Sequence, residues 1–422
     1  MKSFILVLNS GSSSVKFNLF QLTAQNTLQS LLEGIAEEIG NVEKSRIKYD
    51  WQGTRKQTST ALANHQAALL QIFEILRELG IDRQSIAAVG HRVVHGGELY
   101  SSSVRIDDSV IDTIRNLIPI APLHNPPNLT GIEESIKLLP DVPQVAVFDT
   151  AFHESMPEYA FRYAIPEKWL QEYGVRKYGF HGTSHMYVAR RAARFLGIPF
   201  SQFNGITAHL GNGCSLTKIQ KGRSMDTSMG FTPLEGVVMG TRSGDIDPAL
   251  IEHVAAKMAQ EENLPLADAY QNVFRILNKE SGLKALAQTN MMQDIRSRAG
   301  QGDLQAKLAI EIYAYRVAKY IGQYWATLPW TDAIVFTAGL GENESLIREK
   351  IISYLQPLAI TIDTDKNQIR KQEVVIGTSR ILTDHPLSVM VIPTNEEIVI
   401  GYDTLFLGYY EQPIPDVYPF EQ

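Results

Sequence analysis

The sequence predicts an α/β protein of two domains, on three observations. The chain has 422 residues, more than one hydrophobic core normally supports. Segments of strand and helix character alternate along most of its length. Two hairpins with Gly-rich tips, one in each half, repeat a strand–turn–strand pattern, as a duplicated domain would. Composition sets the outer limits. With 44% hydrophobic and 20% charged residues the chain reads as an ordinary soluble globular protein. Its net charge of -7 and the lack of a long Lys/Arg run argue against a nucleic-acid partner. The single cysteine, Cys214, cannot close an intramolecular disulfide, which fits a reducing compartment. Only about five apolar residues precede Asn9, too few for a secretory leader, and no run approaches the ~20 a membrane span needs. The expectation is a cytoplasmic protein without a membrane partner.

The first hairpin pairs Phe4-Ile-Leu-Val-Leu8 with Val15-Lys-Phe-Asn-Leu-Phe20 around Asn9-Ser-Gly-Ser-Ser-Ser-Val-Lys16. Such a tip is either a solvated turn or a phosphate cradle, and the lysine and flanking apolar strands favour phosphate. Leu69, Leu70, Phe73, Ile75 and Leu76 recur at helical spacing and close on Gly80, so a helix fills most of residues 64–80. Ala87-Ala-Val-Gly-His-Arg-Val-Val94 and Pro143-Gln-Val-Ala-Val-Phe-Asp149 read as strands. A helix starts near Thr183, placed to cap it, and runs to Leu196. Asn204-Gly-Ile-Thr-Ala-His-Leu-Gly-Asn-Gly-Cys-Ser-Leu-Thr-Lys-Ile219 is the second hairpin. Residues 248–320 are mostly helical. Ala333-Ile-Val-Phe-Thr-Ala-Gly-Leu-Gly-Glu-Asn343 reads as a strand and a glycine turn, leading to a helix from Ser345 that suits phosphate binding. No dinucleotide fingerprint or Walker lysine pattern is present. The tail after Gly408, rich in Tyr and Pro, is assigned no structure.

Candidate chemistry gathers at polar interruptions of these elements. Arg92, in His91-Arg-Val-Val-His-Gly-Gly97, and Arg242, in Gly240-Thr-Arg-Ser-Gly-Asp-Ile-Asp247, are suited to a carboxylate or phosphate; surface ion pairs are the alternative. His91/His95 and His181/His185 have a spacing zinc could use on a helix, yet the first pair sits in a strand pattern and neither has a zinc protease glutamate. His181 is better read as a donor to an anion beside a helix N-terminus. Asp149 and Glu396 follow apolar strands, where a carboxylate either holds magnesium or caps a helix. Cys214 reads as a small core residue, not a nucleophile.

Taken in order, these motifs resemble the acetate kinase family: Asn-x-Gly-Ser-Ser-Ser-x-Lys from Asn9, His-Arg-Val-Val-His-Gly-Gly from His91, Phe-Asp-Thr-Ala-Phe-His from Phe148, Gly-Phe-His-Gly-Thr-Ser-His from Gly179, His-Leu-Gly-Asn-Gly from His209, Gly-Thr-Arg-Ser-Gly-Asp from Gly240, Gly-Glu-Asn from Gly341, and Pro-Thr-Asn-Glu-Glu ending at Glu397. The resemblance implies two ribonuclease-H-like, actin-like ATPase domains, a duplicated βββαβαβα, with an interdomain active-site cleft. It implies residues 1–151 with 394–422 as the first domain and 152–393 as the second, holding nucleotide and dimer interface. The implied reaction is reversible transfer of the ATP γ-phosphoryl group to acetate, giving acetyl phosphate and ADP, by a homodimer using Mg2+, with Mn2+ as a substitute. By matching motif, Asn9 and Glu396 place the metal and Asp149, Arg92, His181 and Arg242 are catalytic. Arg92, Val94, Leu123, Phe180 and Pro233 bind acetate. The nucleotide falls to Lys16; to His209, Leu210, Gly211, Asn212 and Gly213; to Asp294, Ile295 and Arg296; and to Ala338, Gly339, Leu340, Gly341 and Glu342. Ala338 and Leu340 replace the family's usual glycine and isoleucine, and Met292-Gln293 replaces a serine-rich lead-in. Competing readings are a propionate kinase of the same family, an actin-like ATPase without metabolic chemistry, and a nicotinamide-dependent oxidoreductase.

Overall fold

The computed structural model describes residues 3–422, which divide into two compact units: the chain up to Glu154 with Asn395–Gln422, and Ser155–Thr394. The first unit is built on strands β1 (Phe4–Ser10), β2 (Ser14–Leu22), β3 (Leu28–Glu37), β4 (Arg46–Trp51), β5 (Thr54–Ser59), β6 (Ile86–Val93), β7 (Val104–Arg105) and β8 (Gln144–Phe148). They form one sheet in the order β5-β4-β3-β2-β1-β6-β8-β7. The second unit contributes β9 (Gly205–Leu210), β10 (Cys214–Gln220), β11 (Arg223–Thr227), β12 (Ala333–Thr337), β13 (Thr361–Ile362), β14 (Val374–Ser379) and β15 (Leu387–Val391). Their order is β11-β10-β9-β12-β15-β14-β13.

The repetition suspected from the two hairpins extends to five strands of each sheet. The runs β3-β2-β1-β6-β8 and β11-β10-β9-β12-β15 share one order, an antiparallel meander followed by two parallel strands. β1 and β9 are each the strand where meander meets parallel pair, so both Gly-rich tips leave their sheets at equivalent places.

Burial follows the sequence pattern. β6, β8, β9 and β12 are almost wholly buried, and helices cover such central strands on both faces. In the first unit the helix His65–Glu78 buries Leu69, Ile72, Phe73 and Leu76 against Leu6, Leu8, Phe17 and Leu19. Asn64 caps it, its side chain accepting from Ala67 N–H at 2.9 Å. The returning helix Glu396–Thr404 packs on β1 and β6. It comes so close that a Cβ at Gly90 would lie 2.1 Å from Thr404 Oγ1.

Three sequence expectations need correction. Thr183 does not cap its helix: the helix is Gly182–Leu196, and His181 stands at the cap with φ +59°. Gly339 and Gly341 do not form a turn. A short helix, Ala338–Asn343, follows β12 at once because Ala338 takes φ +64° and reverses the chain there. The tail after Gly408 is packed. Tyr418 is 4% exposed and its hydroxyl donates to Asp403 Oδ1 at 2.7 Å, while Ser103 Oγ donates to Asp403 Oδ2 at 2.6 Å. Aromatic packing holds this segment, and its prolines erase the periodicity that would have announced it. Among the described residues no helix is long and apolar enough to cross a membrane.

Candidate active site

In the first unit the hairpin tip closes tightly. Gly11 N–H donates to the Ser14 carbonyl at 2.7 Å, and His65 Nε2 donates to the Gly11 carbonyl at 2.7 Å. Asn9 and Lys16 are direct cross-strand partners, so their side chains rise on the same face of the hairpin. Beside them β6 and β8 run parallel, bringing Arg92 next to Asp149 at their carboxyl ends, where open α/β sheets bind ligands. Arg92 Nε donates to Asp149 Oδ1 at 2.8 Å and Nη2 to Oδ2 at 2.7 Å. Glu396 opens the returning helix with a carboxylate oxygen 3.6 Å from Arg92 Nε. Burial opposes the charge of Arg92, but Asp149 and Glu396 outweigh it and hold its pKa above the ordinary value. Burial and the neighbouring Glu396 raise the pKa of Glu397, against the pull of Lys16 and Arg92. Lys16, Arg92, Asp149, Glu396 and Glu397 therefore share one field. Val94 is half-buried just past β6, and Leu123 is 45% exposed.

This donor set fits a hard divalent cation. Asn9, Glu396 and Asp149 offer only oxygen near the hairpin, the ligand type magnesium takes. Asp149 differs from the other two, because both its oxygens are already held by Arg92.

In the second unit the candidates converge on the other hairpin tip. Gly211 N–H donates to the Gly213 carbonyl at 3.1 Å. A Cβ at Gly213 would lie 3.1 Å from His181 Nε2 and 3.6 Å from Arg242 Nη1, so both side chains reach over the tip. His181 stacks on His209 with ring centroids 4.2 Å apart. His209 Nδ1 is in turn 2.8 Å from Ser184 Oγ. Arg242 Nη1 donates to the Pro233 carbonyl at 3.2 Å, and burial lowers its pKa. Gly240 leaves room for the Asn212 side chain: a Cβ there would lie 2.1 Å from Asn212 Oδ1 and displace that amide. Left-handed His181 stores backbone strain at a polar site, which is where such strain collects in enzymes. Phe180 beside it is 2% exposed.

The remaining nucleotide candidates sit differently. Asn290 Nδ2 donates to Asn212 Oδ1 at 3.1 Å, bringing the start of the helix Met292–Gly300, with Asp294, Ile295 and Arg296, towards the tip. Arg296 pairs with Glu344 at 3.1 Å. Glu342 turns back on its own helix, where one carboxylate oxygen accepts from Ala338 N–H at 2.8 Å and Thr394 N–H at 3.0 Å. It thereby holds two chain segments together. Gly341 lets the short helix sit against Phe336 and Ala208. Leu340 and Gly339 complete that helix.

Of the histidines that sequence spacing paired for zinc, His91, His95 and His185 each have one ring nitrogen engaged in a hydrogen bond. His91 Nε2 donates to Gln144 Oε1 at 2.8 Å, and His95 Nδ1 accepts from Gly97 N–H at 3.0 Å. Burial pushes both imidazoles down to about 4. His185 Nδ1 is taken by Thr207 Oγ1 at 2.7 Å. Cys214 is a core thiol pushed up to about 11 by burial, bonded to the Gly211 carbonyl and near Tyr313 Oη. Sequence reasoning missed Asn125 and Asn128, buried on the helix Asn125–Leu138. Their one signal was the pair of amides flanking Pro126 and Pro127.

Comparison with known proteins gives the family. The acetokinase family profile matches residues 4–402. The acetate kinase of Carboxydothermus hydrogenoformans is 47% identical over 408 residues, covering 96% of this chain and 98% of that protein. That of Thermotoga maritima is 47% identical over 408 residues, covering 95% and 97%. Among solved structures, a propionate kinase from Francisella tularensis superposes with a TM-score of 0.86 at 42% identity, covering 95% of this chain and 99% of that one. Porphyromonas gingivalis acetate kinase gives 0.84 at 39% identity, covering 96% and 99%. Both sheets accord with the two-domain actin-like ATPase fold of these enzymes. The chain belongs to the acetokinase family.

Proposed function

We propose that the protein is an acetate kinase, a phosphotransferase with a carboxyl group as acceptor. It transfers the γ-phosphoryl group of ATP to acetate, reversibly, giving acetyl phosphate and ADP. The observation that carries this reading is the 47% identity to acetate kinases over nearly the whole chain. Physical chemistry makes the chemistry simple. A carboxylic acid with pKa ~4 is already ionised near pH 7 and needs no general base. One acetate oxygen attacks the γ-phosphorus while the bond to the β,γ-bridging oxygen breaks and its electron pair leaves with ADP. The protein then has to align the reactants and neutralise the equatorial oxygens.

In this reading Arg92 and Arg242 grip the acetate carboxylate and the moving phosphoryl group, and His181 donates to the charge that develops. Asp149 fixes the guanidinium of Arg92. Val94, Leu123, Phe180 and Pro233 wall the acetate methyl. Lys16 and the tip from His209 to Gly213 contact the nucleotide phosphates, with Asp294, Ile295, Arg296 and the residues from Ala338 to Glu342 on the rest of ATP. Asn9 and Glu396 would hold magnesium, with manganese as substitute. When bound, the metal neutralises charge on the β- and γ-phosphoryl oxygens. A cytoplasmic homodimer completes the reading.

A propionate kinase is the second reading, favoured by the 0.86 TM-score of the Francisella tularensis enzyme. One methylene is worth about 1–3 kcal/mol of discrimination. Specificity constants for acetate, propionate and butyrate, from ADP release, decide between the two; a clear preference for acetate is expected, and equal constants would remove it.

A further inference from the structure

The peptide groups just past β6 are held in an unusual way. Four consecutive backbone N–H groups each donate to a different side chain. Val94 N–H goes to Asn128 Oδ1 at 3.0 Å and His95 N–H to Asn125 Oδ1 at 3.2 Å. Gly96 N–H goes to Thr150 Oγ1 at 3.2 Å and Gly97 N–H to the ring of His95 at 3.0 Å. No neighbouring strand supplies these acceptors, so side chains alone set the backbone that follows Arg92 and carries Val94. Asn125 is fully buried, Asn128 is 4% exposed and Thr150 is fully buried. Interior peptide groups left without partners cost free energy, so a clamp of this kind fixes a single path.

Asn128 does more than its neighbours. Its Nδ2 donates to the Ser10 carbonyl at 2.6 Å, at the foot of the first hairpin tip. One buried amide therefore ties two segments far apart in sequence: the turn between Asn9 and Lys16, and the strand end bearing Arg92 and Val94. The helix can approach that closely because residue 131 is glycine; a Cβ there would lie 2.2 Å from Ser10 Oγ.

We propose that Asn128 is a positioning residue that sets the acceptor pocket by locking the Val94 backbone to the hairpin at Ser10, and so helps decide which carboxylic acid is accepted. This rests on the acetate kinase reading, in which Val94 walls the methyl and Arg92 grips the carboxylate. Asn128 touches no reactant; it acts through Val94 and Ser10. Loss of its acceptor frees the Val94 peptide, and a wall loosened by a fraction of an ångström admits a longer acid while holding the shorter one poorly.

The test compares Asn128→Ala, Asn128→Asp and a control, Ser135→Ala, with wild type. Ser135 is buried on the same helix and donates to Gln144 Oε1 at 3.0 Å, so its loss weakens the helix without touching Val94. KM values and ratios of specificity constants are read, because neither depends on the fraction of enzyme that is folded. Asn128→Ala is expected to raise the acetate KM about tenfold and to shift the propionate-to-acetate ratio at least about threefold towards propionate, with the ATP KM within about twofold. Asn128→Asp keeps an acceptor for Val94 N–H but loses the donor to the Ser10 carbonyl, so its ratio is expected to lie between wild type and Asn128→Ala; a ratio equal to wild type would remove Ser10 from the lock. Unchanged acetate KM and ratio in Asn128→Ala, with only the thermal loss that Ser135→Ala also shows, would overturn the proposal. A wild type that phosphorylates no carboxylic acid would overturn this inference together with the reading beneath it, whereas an active wild type with an indifferent Asn128→Ala overturns this inference alone.

Discussion

Arg92 holds both carboxylate oxygens of Asp149, across the carboxyl ends of two parallel strands, at 2.8 and 2.7 Å. The side chain of Asp149 is 2% exposed and that of Arg92 17%. A planar guanidinium gripped on two atoms loses most of its freedom, so its remaining donors are aimed before any substrate arrives. Sequence reasoning made Asp149 a magnesium holder or a helix cap, and the family resemblance made it catalytic. The geometry favours a third role, orientation of Arg92.

Asp149→Asn tests that role. Removing one partner of a buried ion pair costs roughly 3–5 kcal/mol, divided between folding and activity. We expect the acetate KM to rise at least about tenfold and the Mg2+ half-saturation to stay near wild type. A large rise in Mg2+ half-saturation with unchanged acetate KM would return Asp149 to the metal.

Ala338 occupies the left-handed region at φ +64°, where a Cβ costs roughly 1–2 kcal/mol. Ala338→Gly removes that strain at the cost of some unfolded-state entropy. The net expectation is a gain of about 0.5–1 kcal/mol, visible as a higher denaturant midpoint with an unchanged m-value. A fall in midpoint would show that the alanine methyl is worth more in packing than its strain costs.

His91 and His95 give the first unit a pH signature. Folding lowers both imidazoles from the ordinary 6.5 to about 4 by burial. Between those values the unfolded chain binds protons that the native state refuses, so stability falls as pH falls through the window. The loss saturates near ~3 kcal/mol per histidine. Denaturation followed from pH 7 to pH 4 should show this decline, and His91→Gln should flatten it by about half. An unaltered slope in that variant would place the pH dependence elsewhere.

The tail is anchored by Tyr418, whose hydroxyl meets Asp403 at 2.7 Å beneath the stacked ring of Phe420. A hydrogen bond to a buried carboxylate is worth about 1.5–3 kcal/mol. Tyr418→Phe should therefore lower the melting temperature measurably and leave the ATP KM unaltered. No change in melting would show that Ser103 alone satisfies Asp403.

What was legible in the sequence was what repeats locally. The helix His65–Glu78, the strand β6 and both hairpins announce themselves through apolar spacing and glycine-rich tips. The second hairpin, read as an echo of the first, pointed to a duplicated domain, and the two sheets share a five-strand order. What was hidden depends on contacts across long separations. Asn128 bonds to Ser10, 118 residues away, and nothing near Asn128 hints at it. His181 in a left-handed cap and Ala338 reversing the chain both defy the residue preferences on which boundaries are read. Glu342 also ties Ala338 to Thr394, a contact that no local pattern announces.

The central claim is phosphoryl transfer to a carboxylate, and it is tested most directly by trapping the product. Purified protein is incubated with ATP, Mg2+ and hydroxylamine, with and without acetate, and the hydroxamate is measured beside released ADP. Acetate-dependent hydroxamate in amounts matching ADP is expected, reduced roughly 10³–10⁵-fold in rate for Arg242→Ala. Slow ADP release that acetate leaves unchanged, with no hydroxamate, would contradict the account and point to an ATPase that uses the same fold as a switch.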